Sequence, residues 1–169
     1  MASTQAQAFA AARPRPAELA WRQMLRTLGL AERVMQPHFA RFGITGSQWG
    51  VLRNLHRAEL EGHAALRLTD LSERLLIRPP SVTGVVDRLE RAGLVSRDGS
   101  PTDLRAKQVA LTPRGRQLVE RVLRVHSAQI EAVMGGLTAA EQAELHRLLG
   151  LLEGHLEGLV RDGRVVGDE

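Results

Sequence analysis

The sequence predicts a mainly α fold that carries one small β hairpin near the middle of the chain. Apolar residues recur at three- and four-residue steps over most of the chain, as the buried face of a helix requires. Two capping boxes, Thr45-Gly46-Ser47-Gln48 and Thr138-Ala139-Ala140-Glu141, stand where helices are expected to begin. The segments 94–97 and 106–111 look like strands, and the turn between them contains Gly, Pro and Asp.

Length and composition narrow the functional class. A chain of 169 residues with 43% hydrophobic residues buries a core without cross-links, and Cys 0 excludes disulfides, thiolate zinc sites and cysteine nucleophiles. No run of about 18 apolar residues and no secretory signal occurs, so we expect a cytoplasmic protein without a membrane span. No phosphate loop or nucleophile elbow is present either, so we expect neither an enzyme nor a cofactor.

The amino-terminal part of the chain is predicted to be a tail followed by one long helix. Residues 1–16 contain two prolines that disfavour a helix and are predicted to be a disordered tail. An apolar stripe through 17–44 predicts a helix with a kink near Pro37. The members of the stripe are Trp21, Leu25, Leu28, Met35, Phe39 and Phe42. A turn at Gly43 then leads to a second helix, which Thr45 caps and which ends near Leu60.

Residues 45–112 are predicted to form a winged helix-turn-helix domain. After the second helix, Leu66-Arg67-Leu68 alternates as a short strand does, and Thr69 is expected to cap a short helix over 70–76. Another helix follows Pro79 and Pro80. Two short helices joined by a brief turn form a helix-turn-helix, and the hairpin directly after them forms a β wing.

The carboxyl-terminal helices are predicted to take part in dimerisation. Thr112-Pro113 opens one helix, and a second begins after Gly135-Gly136 and carries a leucine stripe. Its leucines are Leu145, Leu148, Leu149, Leu152, Leu156 and Leu159. So many leucines favour burial against a partner subunit, although packing within one subunit is the alternative. Segments 17–44 and 113–160 are therefore expected to form the dimerisation domain of a homodimer, and 161–169 a second disordered tail.

Charge is concentrated in the middle of the chain. Ten basic and five acidic residues between Arg78 and Arg124 give a local balance of +5, which exceeds the +4 of the whole chain. Clustered basic residues displace counterions from phosphates, so this segment favours binding to double-stranded DNA. The alternative is a general use of arginine in place of lysine, with no functional meaning.

Four motifs in this middle region resemble one known family. They are Leu71-Ser72-Glu73-Arg74-Leu75, Ser81-Val82-Thr83-Gly84-Val85-Val86-Asp87-Arg88-Leu89-Glu90-Arg91-Ala92-Gly93-Leu94-Val95, Asp103-Leu104-Arg105-Ala106 and Leu111-Thr112-Pro113-Arg114-Gly115. In this order and spacing they resemble the MarR family of bacterial transcription regulators, over about residues 21–159. The resemblance implies a dimeric regulator, usually a repressor, that small aromatic or amphipathic ligands release from DNA.

The expected DNA contacts lie on the second helix of the helix-turn-helix and on the wing. Polar side chains near the start of that helix reach base edges in the major groove, and the resemblance places Arg105 in the minor groove with Asp103 shaping the wing. The full set is Arg78, Pro80, Ser81, Thr83, Gly84, Arg88, Arg97, Asp103, Arg105 and Lys107. In the alternative interpretation Ser81 only caps its helix, and Arg97 and Lys107 lie on a solvated strand face.

The sequence departs from the family pattern at three positions. Leu76 stands where a turn glycine is usual, Arg78 where a capping serine is common, and Gly84 where an arginine of the DNA-reading helix is common. The operator sequence therefore cannot be transferred from relatives.

The resemblance also implies an effector site between the DNA-binding lobe and the dimerisation helices. The residues expected to line it are Met35, His38, Phe39, Phe42, Trp49, Leu52 and Arg53, and His38 or Arg53 is the expected partner of a carboxylate. The alternative is that the apolar members belong to the core.

Two other functions compete with this interpretation. A winged helix can bind another protein, in which case its DNA affinity would be no better than that of any basic surface. A metal-sensing regulator is the second, but the six histidines are scattered without the close spacing of a metal site.

Overall fold

The structure, a computed structural model, describes residues 15–99 and 107–163. These residues form six helices and three strands, which confirms the predicted mainly α fold with a small β hairpin. In chain order the elements are α1 (Pro16–Ala40), α2 (Gly46–Leu60), β1 (Leu66–Arg67), α3 (Leu68–Leu75), α4 (Pro79–Arg91), β2 (Val95–Gly99), β3 (Lys107–Leu111), α5 (Pro113–Met134) and α6 (Ala139–Arg161).

The chain divides into two compact units, and the boundary lies within α5 between Val125 and His126. The first unit contains every buried apolar residue of the described ranges, whereas α6 in the second unit has none. None of the helices described is both long and apolar enough to cross a membrane.

The core of the first unit lies between α2, α3 and α4. Val51 and Leu52 of α2, Leu71 of α3, and Val82 and Val86 of α4 are fully buried there. Because these residues face inward, the opposite side of α4 is left facing outward, which fixes the side that is available to a ligand.

A three-stranded antiparallel sheet borders this core. Its order is β1-β3-β2, with Leu66 opposite Val109 and Val95 opposite Leu111. The predicted hairpin is therefore confirmed, and β1 adds a third strand to it. Leu68, predicted as the last residue of the short strand, instead begins α3.

Threonine side chains cap three of the six helices described, as predicted. The Gln48 N–H donates to Thr45 Oγ1 at 3.2 Å, and the Gly115 N–H donates to Thr112 Oγ1 at 3.0 Å. The Glu141 N–H donates to Thr138 Oγ1 at 3.3 Å. A side-chain acceptor at each of these positions satisfies an N–H that has no partner inside the helix.

The prediction that Thr69 caps α3 over 70–76 is wrong. The helix begins at Leu68, because the Asp70 carboxylate reaches back and accepts the Arg67 N–H at 3.0 Å. A carboxylate in the first turn is also favoured by the helix dipole. Thr69 therefore lies inside the first turn.

The first helix begins one residue earlier than predicted, at Pro16. Proline is well tolerated at the first helical position, where an N–H would have no partner inside the helix. Pro16 therefore belongs to the helix and not to the predicted tail. The helix continues through Pro37 to Ala40, and Gly43 turns the chain with φ of 70°.

The start of α5 lies directly against the chain segment before β2. A Cβ at Gly115 would stand 2.0 Å from the Leu94 carbonyl oxygen, so only glycine permits this approach. The Thr112 hydroxyl also donates to the Gly93 carbonyl at 2.8 Å. Both contacts hold the end of the wing hairpin against the end of α4.

Candidate nucleic-acid interface

The turn between α3 and α4 is closed by hydrogen bonds from both sides. The Ile77 N–H donates to the Ser72 carbonyl at 3.2 Å, and the Ser72 hydroxyl donates to the Ile77 carbonyl. Leu76 holds the left-handed conformation, with φ of 53°, where a glycine is usual, and its side chain is 88% exposed. The tight turn of a helix-turn-helix therefore forms here without glycine.

The amino end of α4 is built by prolines. Arg78 precedes the helix with extended φ and ψ, and Pro79 and Pro80 occupy its first two positions. Ser81 is the third helical residue and is exposed, so the alternative in which Ser81 caps the helix is wrong. The Thr83 hydroxyl donates its proton to the Pro79 carbonyl at 3.1 Å, so its oxygen remains free only as an acceptor.

Arg97 connects the wing to α4. Its guanidinium donates to the Asp87 carboxylate and to the Thr83 carbonyl at 3.4 Å, and lies 3.5 Å from a Glu90 oxygen. The Arg97 side chain is only 17% exposed. The alternative in which Arg97 lies on a solvated strand face is therefore wrong, because the carboxylates of α4 hold the side chain against the helix. The predicted contact of Arg97 with DNA stays a prediction.

Sequence reasoning missed the two acids that hold Arg97. Asp87 and Glu90 are three residues apart and therefore lie on the same side of α4. That spacing was a readable signal, but nothing in the sequence indicated which arginine the two acids would meet.

The tip of the wing lies outside the described residues. This applies to Asp103 and Arg105, for which the predicted roles stay predictions. Lys107 begins β3 and pairs with Gly99 through the backbone, while its side chain also lies outside the description.

Ion pairing leaves the outward side of α4 positively charged. Asp87 and Glu90 are paired with Arg97, whereas the Arg78 and Arg88 side chains are exposed and, within residues 15–99 and 107–163, make no hydrogen bond or ion pair. Two exposed guanidinium groups, one directly before α4 and one in its last turn, are what a polyanion would meet there.

Acids elsewhere in the first unit are also held by arginines. Glu59 accepts a two-atom contact from the Arg116 Nε at 2.9 and 3.0 Å. The hydrogen bond from Arg74, at 3.0 Å, lowers the pKa of Glu61, with a smaller contribution from the Arg57 charge. These acids are therefore paired with arginines outside α4.

A groove of about 310 Å³ lies between the end of α1 and the start of α2. Met35, Phe39 and Ile44 are its apolar lining. Its polar and small lining residues are Glu32, Arg33, Gln36, Ala40, Thr45, Gly46 and Ser47. A lining that combines apolar and polar residues suits an amphipathic small molecule.

Only two of the seven predicted effector residues, Met35 and Phe39, line this groove. Trp49 and Leu52 are buried in the core, where the Phe39 and Trp49 rings stack with centroids 5.9 Å apart. Phe42 is half-buried and Arg53 is exposed.

His38 is the seventh of these residues and is 3% exposed. Burial, together with the charge of Arg41, lowers its pKa. Since this favours the neutral imidazole, His38 is a poor electrostatic partner for a carboxylate.

The described residues give no support to a metal site. Across 15–99 and 107–163, no three histidine, aspartate or glutamate side chains come together as ligands of a metal ion would.

Comparison with known proteins gives the same assignment for the domain and for most of the chain. Residues 42–106 match the model of the MarR family. The transcriptional regulator PrsX of Escherichia coli is 30% identical over 131 residues, which cover 75% of this chain and 77% of PrsX. The regulator YkoM of Bacillus subtilis is 34% identical over 83 residues, 49% of this chain, and the match spans about half of YkoM (54%).

Solved structures share the fold. A mutant of MarR from Escherichia coli, crystallised with operator DNA, superposes with a TM-score of 0.71 at 26% identity and covers 78% of this chain and 91% of that chain. BpsR of Bordetella bronchiseptica, whose DNA binding is regulated by 6-hydroxynicotinic acid, has a TM-score of 0.70 at 27% identity and covers 80% and 99%. Both likenesses extend well beyond the helix-turn-helix itself.

Proposed function

Because the chain belongs to the MarR family of transcription regulators, which are not enzymes, we propose that it is a cytoplasmic repressor that binds a pseudo-palindromic operator as a homodimer. The observation that carries this proposal is the outward side of α4, where Arg78 and Arg88 are exposed while Asp87 is occupied by Arg97. A helix with such a face fits the major groove. The ion pairs of Arg97 with Asp87 and Glu90 hold the wing beside this helix.

The experiment that tests this function is selection of bound sequences from a random DNA pool at near-physiological salt. A dimer with two α4 helices in successive major grooves selects an inverted repeat with half-sites about one turn, ~34 Å, apart. Absence of any enriched sequence, together with binding that vanishes as salt rises, would refute sequence-specific regulation and favour the protein-binding alternative.

Dimerisation through the terminal helices is supported by apolar residues that stay exposed in each unit. On α1, Trp21, Leu25 and Leu28 are 55%, 51% and 61% exposed. On α6, Leu148 and Leu149 are 49% and 47% exposed. Apolar stripes of this length are unusual on the surface of a monomer, and a second copy of the chain is the partner that would cover them.

The dimer is tested by Leu152→Asp on α6. We expect this variant to elute as a monomer in analytical ultracentrifugation, because a charge at a buried interface position has no partner. Leu60→Asp at the end of α2, where leucine is 77% exposed, is the matched control and stays dimeric. A dimeric Leu152→Asp variant would show that α6 is not the interface.

The groove between α1 and α2 is the proposed effector site. Its apolar lining by Met35, Phe39 and Ile44 suits a ring, and Arg33, which also lines it, suits a carboxylate. The aromatic acid that regulates DNA binding by BpsR, 6-hydroxynicotinic acid, is therefore the first probe. A ligand that binds the DNA-free form better weakens operator binding, by ~1 to 3 kcal/mol for a typical allosteric coupling.

The effector proposal is tested by measuring operator affinity with and without this probe. If the probe weakens binding by the wild type, Arg33→Ala abolishes the response, whereas Arg26→Ala, earlier on α1 and not among the groove residues, preserves it. An equal response in both variants would place the site elsewhere.

A further inference from the structure

Gly84 lies on the outward side of α4, opposite Val82, Val86 and Leu89, which are fully buried. A Cβ at this position would meet one side-chain atom within 4 Å, the Nη1 of Arg88 at 3.9 Å. The guanidinium of Arg88 therefore lies over the space that the glycine leaves open.

This geometry follows from how helical side chains point. Each Cα–Cβ bond of a helix is tilted toward the amino end, so a long side chain covers the residue four positions before it. Arg88 thus carries its charge back by about one turn, toward the end of α4 that enters the major groove in helix-turn-helix proteins.

Arg88 is also available to bind a ligand. It is exposed, and in the two described ranges its side chain makes no hydrogen bond or ion pair. The nearby Arg91 differs, because its Nε donates to the Asp87 carbonyl at 3.3 Å. Arg97 takes up the acids Asp87 and Glu90, so neither is left to draw Arg88 away from the outward face.

We propose that Arg88, lying over Gly84, reads a guanine in the major groove of each half-site, and that residue 84 is glycine because a larger side chain would fill that space. The proposal rests on the proposed function. The planar guanidinium presents two parallel N–H donors, and guanine is the base that presents two acceptors, O6 and N7, side by side in the major groove.

The test uses the operator selected by the wild-type protein and a series of sites in which each G·C pair of the half-site is replaced by A·T. We expect the wild type to lose about 10- to 100-fold in affinity when one particular G·C pair is replaced. Arg88→Ala binds the selected and the replaced site with equal affinity, and Arg88→Lys discriminates less than the wild type.

Two further variants separate base reading from general charge. Gly84→Leu fills the space beneath the guanidinium and loses the preference at the same base pair. Arg57→Ala removes an exposed arginine at the far end of α2, 74% exposed and paired with Glu61, and keeps the preference. Circular dichroism and thermal unfolding check that each variant is folded.

The outcomes distinguish this proposal from the function on which it rests. If Arg88→Ala weakens binding to every site equally and reduces the salt slope by about one, Arg88 contacts phosphate and the base-reading proposal is overturned. If the wild type selects an operator and Arg88→Ala keeps both its affinity and its preference, only the role of Arg88 fails. If the wild type selects no sequence, the proposed function fails together with it.

Discussion

Replacing Arg97 by methionine removes the charged connection between the wing and α4 while keeping an unbranched apolar stem of similar length. The wild-type guanidinium donates to Asp87 and to the Thr83 carbonyl and lies close to Glu90. We therefore expect Arg97→Met to destabilise the first unit and to loosen the position of the wing.

The size of the effect follows from the exposure of the partners. A hydrogen bond to a charged group contributes about 1.5–3 kcal/mol when it is well protected, whereas an exposed ion pair contributes about 0–1 kcal/mol. The Arg97 side chain is 17% exposed but Asp87 and Glu90 are 45% and 41% exposed, so both acids regain water in the variant. The expected loss in the free energy of unfolding is about 1.5 kcal/mol, and in a chain of this size about 3–6 °C in Tm.

The assay is urea unfolding followed by circular dichroism, with a double-mutant cycle of Arg97→Met and Asp87→Asn. We expect a coupling free energy of about 1 kcal/mol, because the two side chains share one contact. Arg147→Met is the matched control: its ion pair with Glu144, 2.7 Å long, lies between side chains that are 57% and 54% exposed. That variant should lose less than about 0.5 kcal/mol.

The reasoning would be refuted by additive effects in the cycle, or by an Arg97→Met variant as stable as Arg147→Met. Either result would mean that the contact with Asp87 contributes no more than a solvated surface pair. An intact coupling, together with an operator affinity of Arg97→Met equal to that of the wild type, would show instead that the contact between Arg97 and Asp87 stabilises the fold without positioning the wing for DNA.

Three further substitutions probe the backbone and the wing. Gly115→Ala should lower the free energy of unfolding by about 2–3 kcal/mol or more, because its Cβ would stand 2.0 Å from the Leu94 carbonyl oxygen. A loss below about 1 kcal/mol in urea unfolding would mean that the backbone shifts easily to relieve this contact. Leu76→Gly should raise the free energy of unfolding by about 0.5–1 kcal/mol and so raise the Tm slightly, since relief of the left-handed conformation outweighs the added freedom of the unfolded chain. An unchanged or lower Tm would contradict this. Arg105→Ala should weaken operator binding by ~1 to 3 kcal/mol with Tm unchanged, and full affinity in a binding titration would show that the wing does not contribute.

Prediction from the sequence succeeded where structure depends on neighbours within a few residues. The caps at Thr45, Thr112 and Thr138 are each decided by a hydroxyl and an N–H three residues later, so the sequence contains both partners. The error at Thr69 has the same origin, because two candidate capping groups lie side by side there. The carboxylate of Asp70, which reaches further and carries charge, is the one that binds the free N–H.

The candidate site was harder to predict, since its residues meet across the fold. The effector residues were predicted from the helix on which each lies and from its chemical type, but the direction of each side chain depends on the packing of the helices. In the structure Leu52 is buried in the core, whereas Met35 lines the groove. Likewise, the sequence predicts Arg97 either within reach of DNA or on a solvated strand face, because an isolated strand gives no sign of the two acids on α4 that it meets.

The sequence by itself determined that this chain is mainly helical, where its caps and its hairpin lie, and which family it resembles, since these depend on local periodicity, short-range hydrogen bonds and motif order. Only the tertiary structure decided that Arg97 is withdrawn to hold the wing and that Arg88 remains outward above Gly84. The physical reason is that a charged side chain adopts the conformation in which it pairs with groups of opposite charge. The acids that hold Arg97 are seven and ten residues away along the chain and become its neighbours only when β2 packs against α4.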